Sequence, residues 1–359
     1  MRFFFFVIGV FLLASCSQSE KNRNVPNATG LPGDVFLVMD SLQWRGPLGR
    51  TIDSIFNEEM PGLPRKESIF KLRWINPRKL NFVLKQSRNI VFAVSLDQNT
   101  EGAQIVKKIF TLESIEKIKT STTEFVNTDD DVFAKGQQVM YLYGNTSENL
   151  IRNIKANGSK LTDFFDIKER ERMTKSLFKA GQVKGVSEFL IKDMKCDLKI
   201  PFGYKLVEKK SDFIWLRQIN PKDDKNLFIA RKAYSSQSDF SKENLIKFRD
   251  AICRQYLFED PAQPDTYLLT ETDIPFIPVV ADTITFNKHF AVKLSGIWRS
   301  NTMAMGGPFT GIAVVDEGTQ QFYYVEGFTF SPGKDQREII RELETIVYTF
   351  RTSTELPKQ

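Results

Sequence analysis

Leu13-Ala14-Ser15-Cys16 carries the clearest chemistry in this chain: small residues that admit a signal peptidase, then a thiol placed to accept a lipid. Arg2 supplies one positive charge ahead of an apolar run over residues 3–13, a secretory length. A bilayer span takes about 20 residues, so this run is too short to cross one. The expectation is a lipoprotein signal peptide over 1–15 and a mature chain exported and lipidated on Cys16.

Recognition chemistry comes next. Trp44-Arg45 and Trp298-Arg299 each set an aromatic plate beside a planar guanidinium, which suits a sugar or a peptide. The competing account is two core tryptophans whose arginines face water. Met305-Gly306-Gly307, followed by Phe309, lets a backbone approach a ligand closely, because glycine lacks Cβ. It leads into a strand-like stretch and lacks Lys-Ser/Thr, so it is no phosphate cradle; a demanding turn is the other reading. Trp44, Arg45, Trp298, Arg299, Met305, Gly306, Gly307 and Phe309 are thus the candidate residues for ligand or partner binding. Gly46-x-x-Gly49 opens a helix, where an anion can bind, yet a bare helix start is too common to carry weight.

Catalytic material is scarce. Serine-nucleophile elbows, zinc-binding His-Glu-x-x-His and dinucleotide fingerprints are missing from the sequence, and His289 is the only histidine. Asp129-Asp130-Asp131 lacks the alternating ligand spacing of a calcium loop and reads as a solvated turn. No catalytic residue, metal ligand or cofactor is therefore assigned. Paired carboxylates assembled across distant strands remain open. Non-enzymatic binding of an envelope protein or glycan leads, and a carboxylate hydrolase acting on cell-wall or glycan substrates is the alternative.

The elements that must position these residues follow from composition and pattern. The 359 residues are 41% hydrophobic and 26% charged, values of a folded chain long enough for two domains. Net charge is +6, 50 Lys+Arg against 44 Asp+Glu. No basic stripe interleaved with aromatics appears, and export argues against nucleic acid, so anionic lipid or glycan surfaces are the natural counterparts. Cys196 and Cys253 stand isolated, which leaves buried free thiols or a disulfide.

Residues 17–33, with Pro26, Gly30, Pro32 and Gly33, read as a flexible tether spanning on the order of 20 Å. Folding is expected from Asp34, with an N-terminal α+β unit over 34–195, a C-terminal one over 196–352 and a disordered tail over 353–359. Val35–Met39 suits a strand buried on both faces, and Gly46-Pro47 opens a helix with Leu48, Ile52 and Phe56 on one side. Strands are expected near 70–75, 89–96 and 138–143, then helix from 147 to 179, broken at Asn157-Gly158. In the second half strands are expected at 212–218, 226–230, 267–271, 283–298, 309–316 and 322–330. Ser241 caps one helix, and Asp335 with Glu338 makes a capping-box pattern for the last. Ile75-Asn76-Pro77 and Ile219-Asn220-Pro221 recur and raise the idea of a duplicated domain.

Taken together these segments resemble the DUF4837 family of Bacteroidota lipoproteins. The likeness rests on Thr29 to Asp34, Met39-Asp40, Trp44, Gly46, Gly49, Gly62-Leu63-Pro64 and Arg88-Asn89-Ile90. It continues through Phe213 to Arg217, Arg249-Asp250, Gly296 to Arg299, Met305 to Phe309, Glu326-Gly327-Phe328 and Arg341 to Glu344. The resemblance implies a Gram-negative envelope lipoprotein and supplies no activity or catalytic residue. Only one acidic residue, Glu20, closely follows Cys16, which in that phylum favours an outer-membrane anchor facing the periplasm over the cell surface. The expected fold is α+β: two antiparallel-sheet units each packed with helices, the C-terminal one reminiscent of PsbP-like folds.

Overall fold

Strands apolar on both faces need cover on both faces, and this requirement organises the first sheet. β1 (Asp34–Val38), β3 (Asn89–Ser95) and β5 (Gln138–Gly144) are buried almost throughout. With β2 (Lys71–Ile75) and β4 (Val126–Asp130) they form a five-stranded sheet of order β2-β1-β3-β5-β4. The computed structural model describes residues 25–220, 223–257 and 265–356. The signal peptide, Cys16, Pro221 and residues 357–359 lie outside them.

Here the expected antiparallel arrangement is corrected. β1–β2, β1–β3 and β3–β5 pair in parallel, and only β4–β5 is antiparallel. Parallel neighbours need crossover connections, which the helices supply. α1 (Ser41–Arg45) leads into α2 (Pro47–Phe56). α2, α6 (Ser147–Ala156) and α7 (Gly158–Leu177) cover the face bearing Val35, Leu37, Val91 and Met140. α3 (Phe82–Lys85) and α4 (Glu101–Lys107) cover the face bearing Val38, Ile90, Phe92 and Val94. α5 (Leu112–Thr120) lies beside β5.

The second sheet is antiparallel throughout, as expected. It comprises β7 (Lys205–Lys209), β8 (Phe213–Ile219), β9 (Asp224–Ala233), β10 (Leu268–Thr270), β11 (Val280–Phe286), β12 (His289–Ser300), β13 (Gly306–Asp316) and β14 (Gln321–Phe330). The order is β10-β12-β13-β14-β9-β8-β7, with β11 beside β12. α10 (Arg337–Val347) buries Ile340, Leu343 and Ile346 against one face, joined by Val186 of α8 (Lys184–Phe189). α9 (Lys242–Tyr256) buries Leu245 and Cys253 on the other. β6 (Cys196–Asp197) pairs with β15 (Arg351–Thr352). Since one sheet is largely parallel and the other antiparallel, the recurring Ile-Asn-Pro does not mark a duplication.

Four further expectations change. The stretch 283–298 is not one strand but the β11–β12 hairpin, turning at Asn287 and Lys288 with φ of 49° and 73°. Positive φ at both central residues is the geometry of a two-residue hairpin loop. The Asp335/Glu338 capping box does not form. The Gln336 and Arg337 amides instead donate to the Glu67 carboxylate from the other half of the chain, at 2.7 and 2.9 Å, where an anion also meets the helix dipole favourably. The tether is docked well before Asp34: Lys135 N donates to Pro26 O at 2.8 Å and Thr29 N to Gln86 O at 2.8 Å. In the tail, Ser353–Glu355 forms a 3-10 turn, pinned by Ser353 donating to Asp316. Of the two states open to the remaining cysteines, the buried free thiol is the one observed: Cys196 and Cys253 are free and sit in cores on opposite faces of the second sheet.

α7 and α10 join the two sheets. Arg170 stacks over the Tyr348 ring at 3.6 Å, Arg341 donates to Ile69 O at 2.7 Å, and Thr345 donates to Met173 Sδ at 3.4 Å.

Candidate functional site

Alternation along β5 puts Tyr141 and Tyr143 on one face of the first sheet, and alternation along the adjoining edge strand β4 puts Asn127 and Asp129 beside them. Phe110, between α4 and α5, closes the corner. Its ring meets Tyr141 at 5.9 Å and 70°, and Tyr143 at 5.7 Å and 77°. Ser114, Lys117 and Ile118 of α5 form the opposite wall, and Glu124 completes the rim. The resulting cleft, open to solvent on one side, has a volume of about 270 Å³.

The electrostatics are set by burial and by two carboxylates. Burial, helped by Asp129, pushes the Tyr141 phenol up to about 12. Burial, then Glu124, raises that of Tyr143. Both phenols therefore stay neutral donors at ordinary pH. Neither the Asp129 nor the Glu124 side chain has a hydrogen bond or ion pair among the described residues. Lys117 is held by Glu113 at 2.8 Å. Three rings plus a few amide, hydroxyl and carboxylate groups is the composition of a small-molecule pocket.

A second cleft, about 240 Å³, opens between the sheets and is lined by Asp163, Asp166, Lys293 and Glu344 among others. It is largely neutralised internally. Lys293 reaches Glu344 at 2.6 Å, and Asp166 meets Arg170 at 2.5 Å and Arg341 at 3.6 Å. Burial, then Asp166, raises the Asp163 carboxyl.

A third place follows from topology. In a doubly wound sheet, ligands favour the crevice beyond the carboxyl ends of the strands where the order reverses, here β1 and β3. That crevice is filled by the chain itself. Ser147 N, opening α6, donates to Asp97 Oδ2 at 3.1 Å, and Gln43 Nε2 donates to Ser95 Oγ at 2.6 Å.

The family model of DUF4837, a domain of unknown function, matches residues 185–349. The second sheet therefore belongs to a DUF4837 domain. Residues 28–178 match a different domain of unknown function, DUF8532. The motifs from Thr29 to Ile90 that resembled DUF4837 thus fall in the DUF8532 match. Among curated proteins no sequence match is found. Similar solved structures include a mutant of protein Mog1 (8% identity, 44% of this chain, 91% of that chain, TM-score 0.28). The Saccharomyces cerevisiae Ran-binding protein Mog1p (8%, 44%, 90%, 0.30) and the human StarD13 lipid transfer and protein localization domain (11%, 40%, 89%, 0.21) are similar at the same level.

The candidate residues of the DUF4837 domain come together in the β12–β13 hairpin, but not as an open surface. Trp298 is 2% exposed and donates Nε1 to Thr329 O at 3.2 Å; Phe309 is 1% exposed. Arg299 faces Glu271 at 3.0 Å. Gly306 and Gly307 pair with Arg299 and Trp298, and Met305 borders a crevice of only about 40 Å³. A fully packed tryptophan offers no plate to a sugar, so the binding reading leaves this hairpin. Trp44 and Arg45 lie apart from it on α1. Trp44 stacks on Trp74 with ring centroids 6.1 Å apart and planes 3° apart, and Arg45 is exposed. Among the described residues no cluster of metal-ligating side chains occurs, and no helix is long and apolar enough to cross a membrane.

Sequence reasoning missed the pocket. The Tyr141-x-Tyr143 alternation is visible in the sequence, but Asp129-Asp130-Asp131 reads as a turn, and nothing local brings Phe110 to the tyrosines.

Proposed function

We propose that this chain is an envelope lipoprotein, anchored through Cys16 in the outer membrane and facing the periplasm. In this reading it binds one saccharide unit of an envelope glycan in the pocket beside β5. The observation that carries the binding part is the corner of Phe110, Tyr141 and Tyr143 next to Asn127, Asp129 and Ser114. The half-buried rings of Phe110 and Tyr143 are the ones that can cover the apolar side of a sugar ring, with Tyr141, 7% exposed and stacked on Phe92, as the floor behind them; the polar groups meet its hydroxyls. A cavity of about 270 Å³ sits below the 300–1,000 Å³ of drug-sized pockets, which fits one ring and not a chain. Anchoring is supported by the Leu13–Cys16 motif.

Two outcomes are expected. Cys16→Ala moves the protein from the membrane to the soluble fraction on cell fractionation; full retention in the membrane would refute the anchor. Titration of the full-length protein with fragments of purified envelope glycan gives saturable binding by calorimetry. Asn127→Trp plugs the pocket from an exposed strand position that tolerates an aromatic and weakens binding at least about tenfold, or ~1.4 kcal/mol. Absence of binding, or affinity indifferent to Asn127→Trp, would sink the glycan reading. The carboxylate-hydrolase alternative is favoured by Asp163 and Asp166 lining the inter-sheet cleft. It wins if incubation with intact, insoluble envelope glycan releases soluble fragments.

A further inference from the structure

We infer that the pocket beside β5 selects a sugar bearing a free, protonated amino group, an inference that rests on the glycan reading and narrows it. Phe110 stands edge-on to both tyrosines, so the three rings wall a corner and do not stack into a plane. Aromatic faces carry the negative part of the ring quadrupole and attract ammonium groups. Asp129 and Glu124 add two carboxylates, neither engaged by a hydrogen bond or salt bridge among the described residues. The one cation on the wall, Lys117, makes an exposed ion pair with Glu113 at 2.8 Å and is also attracted by Glu124, so Asp129 is the carboxylate left without a nearby lysine on this wall.

The protein as a whole is basic, at +6, yet this cavity is locally acidic. Its field reaches the aromatic wall: Asp129 and Glu124 each contribute to raising the tyrosine beside it. An anionic ligand meets like charge here. A neutral sugar forgoes the strongest attraction on offer, because hydrogen bonds to charged groups contribute about 1.5–3 kcal/mol against about 1 for neutral ones. An ammonium on a pyranose ring uses several walls at once: the Phe110 and Tyr143 rings for the C–H surface, Asp129 and Glu124 for the charge, and Ser114 and Asn127 for the hydroxyls.

The test titrates the full-length protein in detergent with a glucosamine oligomer, the N-acetylglucosamine oligomer of equal length, and ethanolamine. The glucosamine oligomer is expected to bind at least about tenfold tighter than its acetylated counterpart. That preference should shrink with added salt and vanish in Asp129→Asn, whose side chain makes no contact needed for folding. Glu124→Gln provides an independent variant with the same expected direction. Equal affinity for the two oligomers overturns the ammonium inference and leaves the glycan reading standing. Failure of both oligomers, with envelope glycan also inert, overturns both. Ethanolamine binding as tightly as the glucosamine oligomer assigns the ammonium to a non-sugar source and overturns the inference.

Discussion

Glu326→Ala is expected to destabilise the protein by about 3–5 kcal/mol, read as a lowered midpoint in urea with an unchanged slope. Arg249 and Glu326 are both fully buried, and their side chains are joined by two bonds: Nε to Oε2 and Nη2 to Oε1, each 2.8 Å. Tyr324 donates to the same Oε2 at 2.6 Å, Arg249 Nη1 reaches Thr270 Oγ1 at 3.1 Å, and the guanidinium sits 4.0 Å from the Phe309 ring centroid. Removing the carboxylate leaves the Tyr324 phenol unpaired and leaves the fully buried guanidinium only Thr270 and the more distant Asp250 carboxylate at 3.6 Å. The size of the loss comes from that poorly paired charge more than from the worth of the pair, which an apolar replacement can match. The double variant Arg249→Met with Glu326→Leu should therefore recover most of the loss. A single variant within about 1 kcal/mol of wild type would show that the guanidinium finds other partners.

That pair also explains part of the family likeness. Arg249-Asp250 and Glu326-Gly327 lie 77 residues apart and meet as one buried ion pair between α9 and β14. Gly327 has a comparable role on the opposite face. A Cβ there would lie 2.7 Å from Leu343 Cβ, so the glycine lets α10 settle on the sheet. Arg249, Glu326 and Gly327, among the residues that carry the resemblance, thus hold the DUF4837 domain together, which is why they suggest a family and not a reaction.

Much of the fold was legible because its signals are local. Pro47 at the first helical position, the Asn157-Gly158 break between α6 and α7, and the stripe of α10 each depend on residues within one or two turns of one another. The parallel sense of the first sheet was not legible, since an apolar run such as Val35–Val38 reads alike in either pairing. β4 was invisible for a different reason. Its residues are exposed and polar, and it is a strand only because β5 offers a ladder. With β4 unseen, Asp129 reads as part of a turn, and the pocket loses a wall. The cap on α10 escaped because Glu67 is 269 residues from Gln336; no spacing rule reaches so far.

The glycine pair that had suggested a ligand approach leads to the other large expected effect, Gly307→Ala. A Cβ on Gly307 would stand 2.1 Å from Thr329 O and 3.2 Å from Trp298 Nε1. Real Cβ atoms do not come within 3 Å of a carbonyl oxygen, and that oxygen already accepts the Trp298 indole proton. Relief requires moving the backbone of β13 or β14, and both strands are buried along most of their length. Overpacking in a well-filled core costs about 1–3 kcal/mol and occasionally more, and a clash with backbone belongs at or above the top of that range. Gly185→Ala is the matched control. It lies in α8 with open space around its missing Cβ, where alanine in a helix should gain about 0.5–1 kcal/mol. Thermal unfolding of the two variants separates steric demand from a generic effect of replacing glycine. If Gly307→Ala proves as mild as Gly185→Ala, the β13 end yields easily, Trp298 is less tightly held than its burial indicates, and the hairpin becomes a binding candidate again.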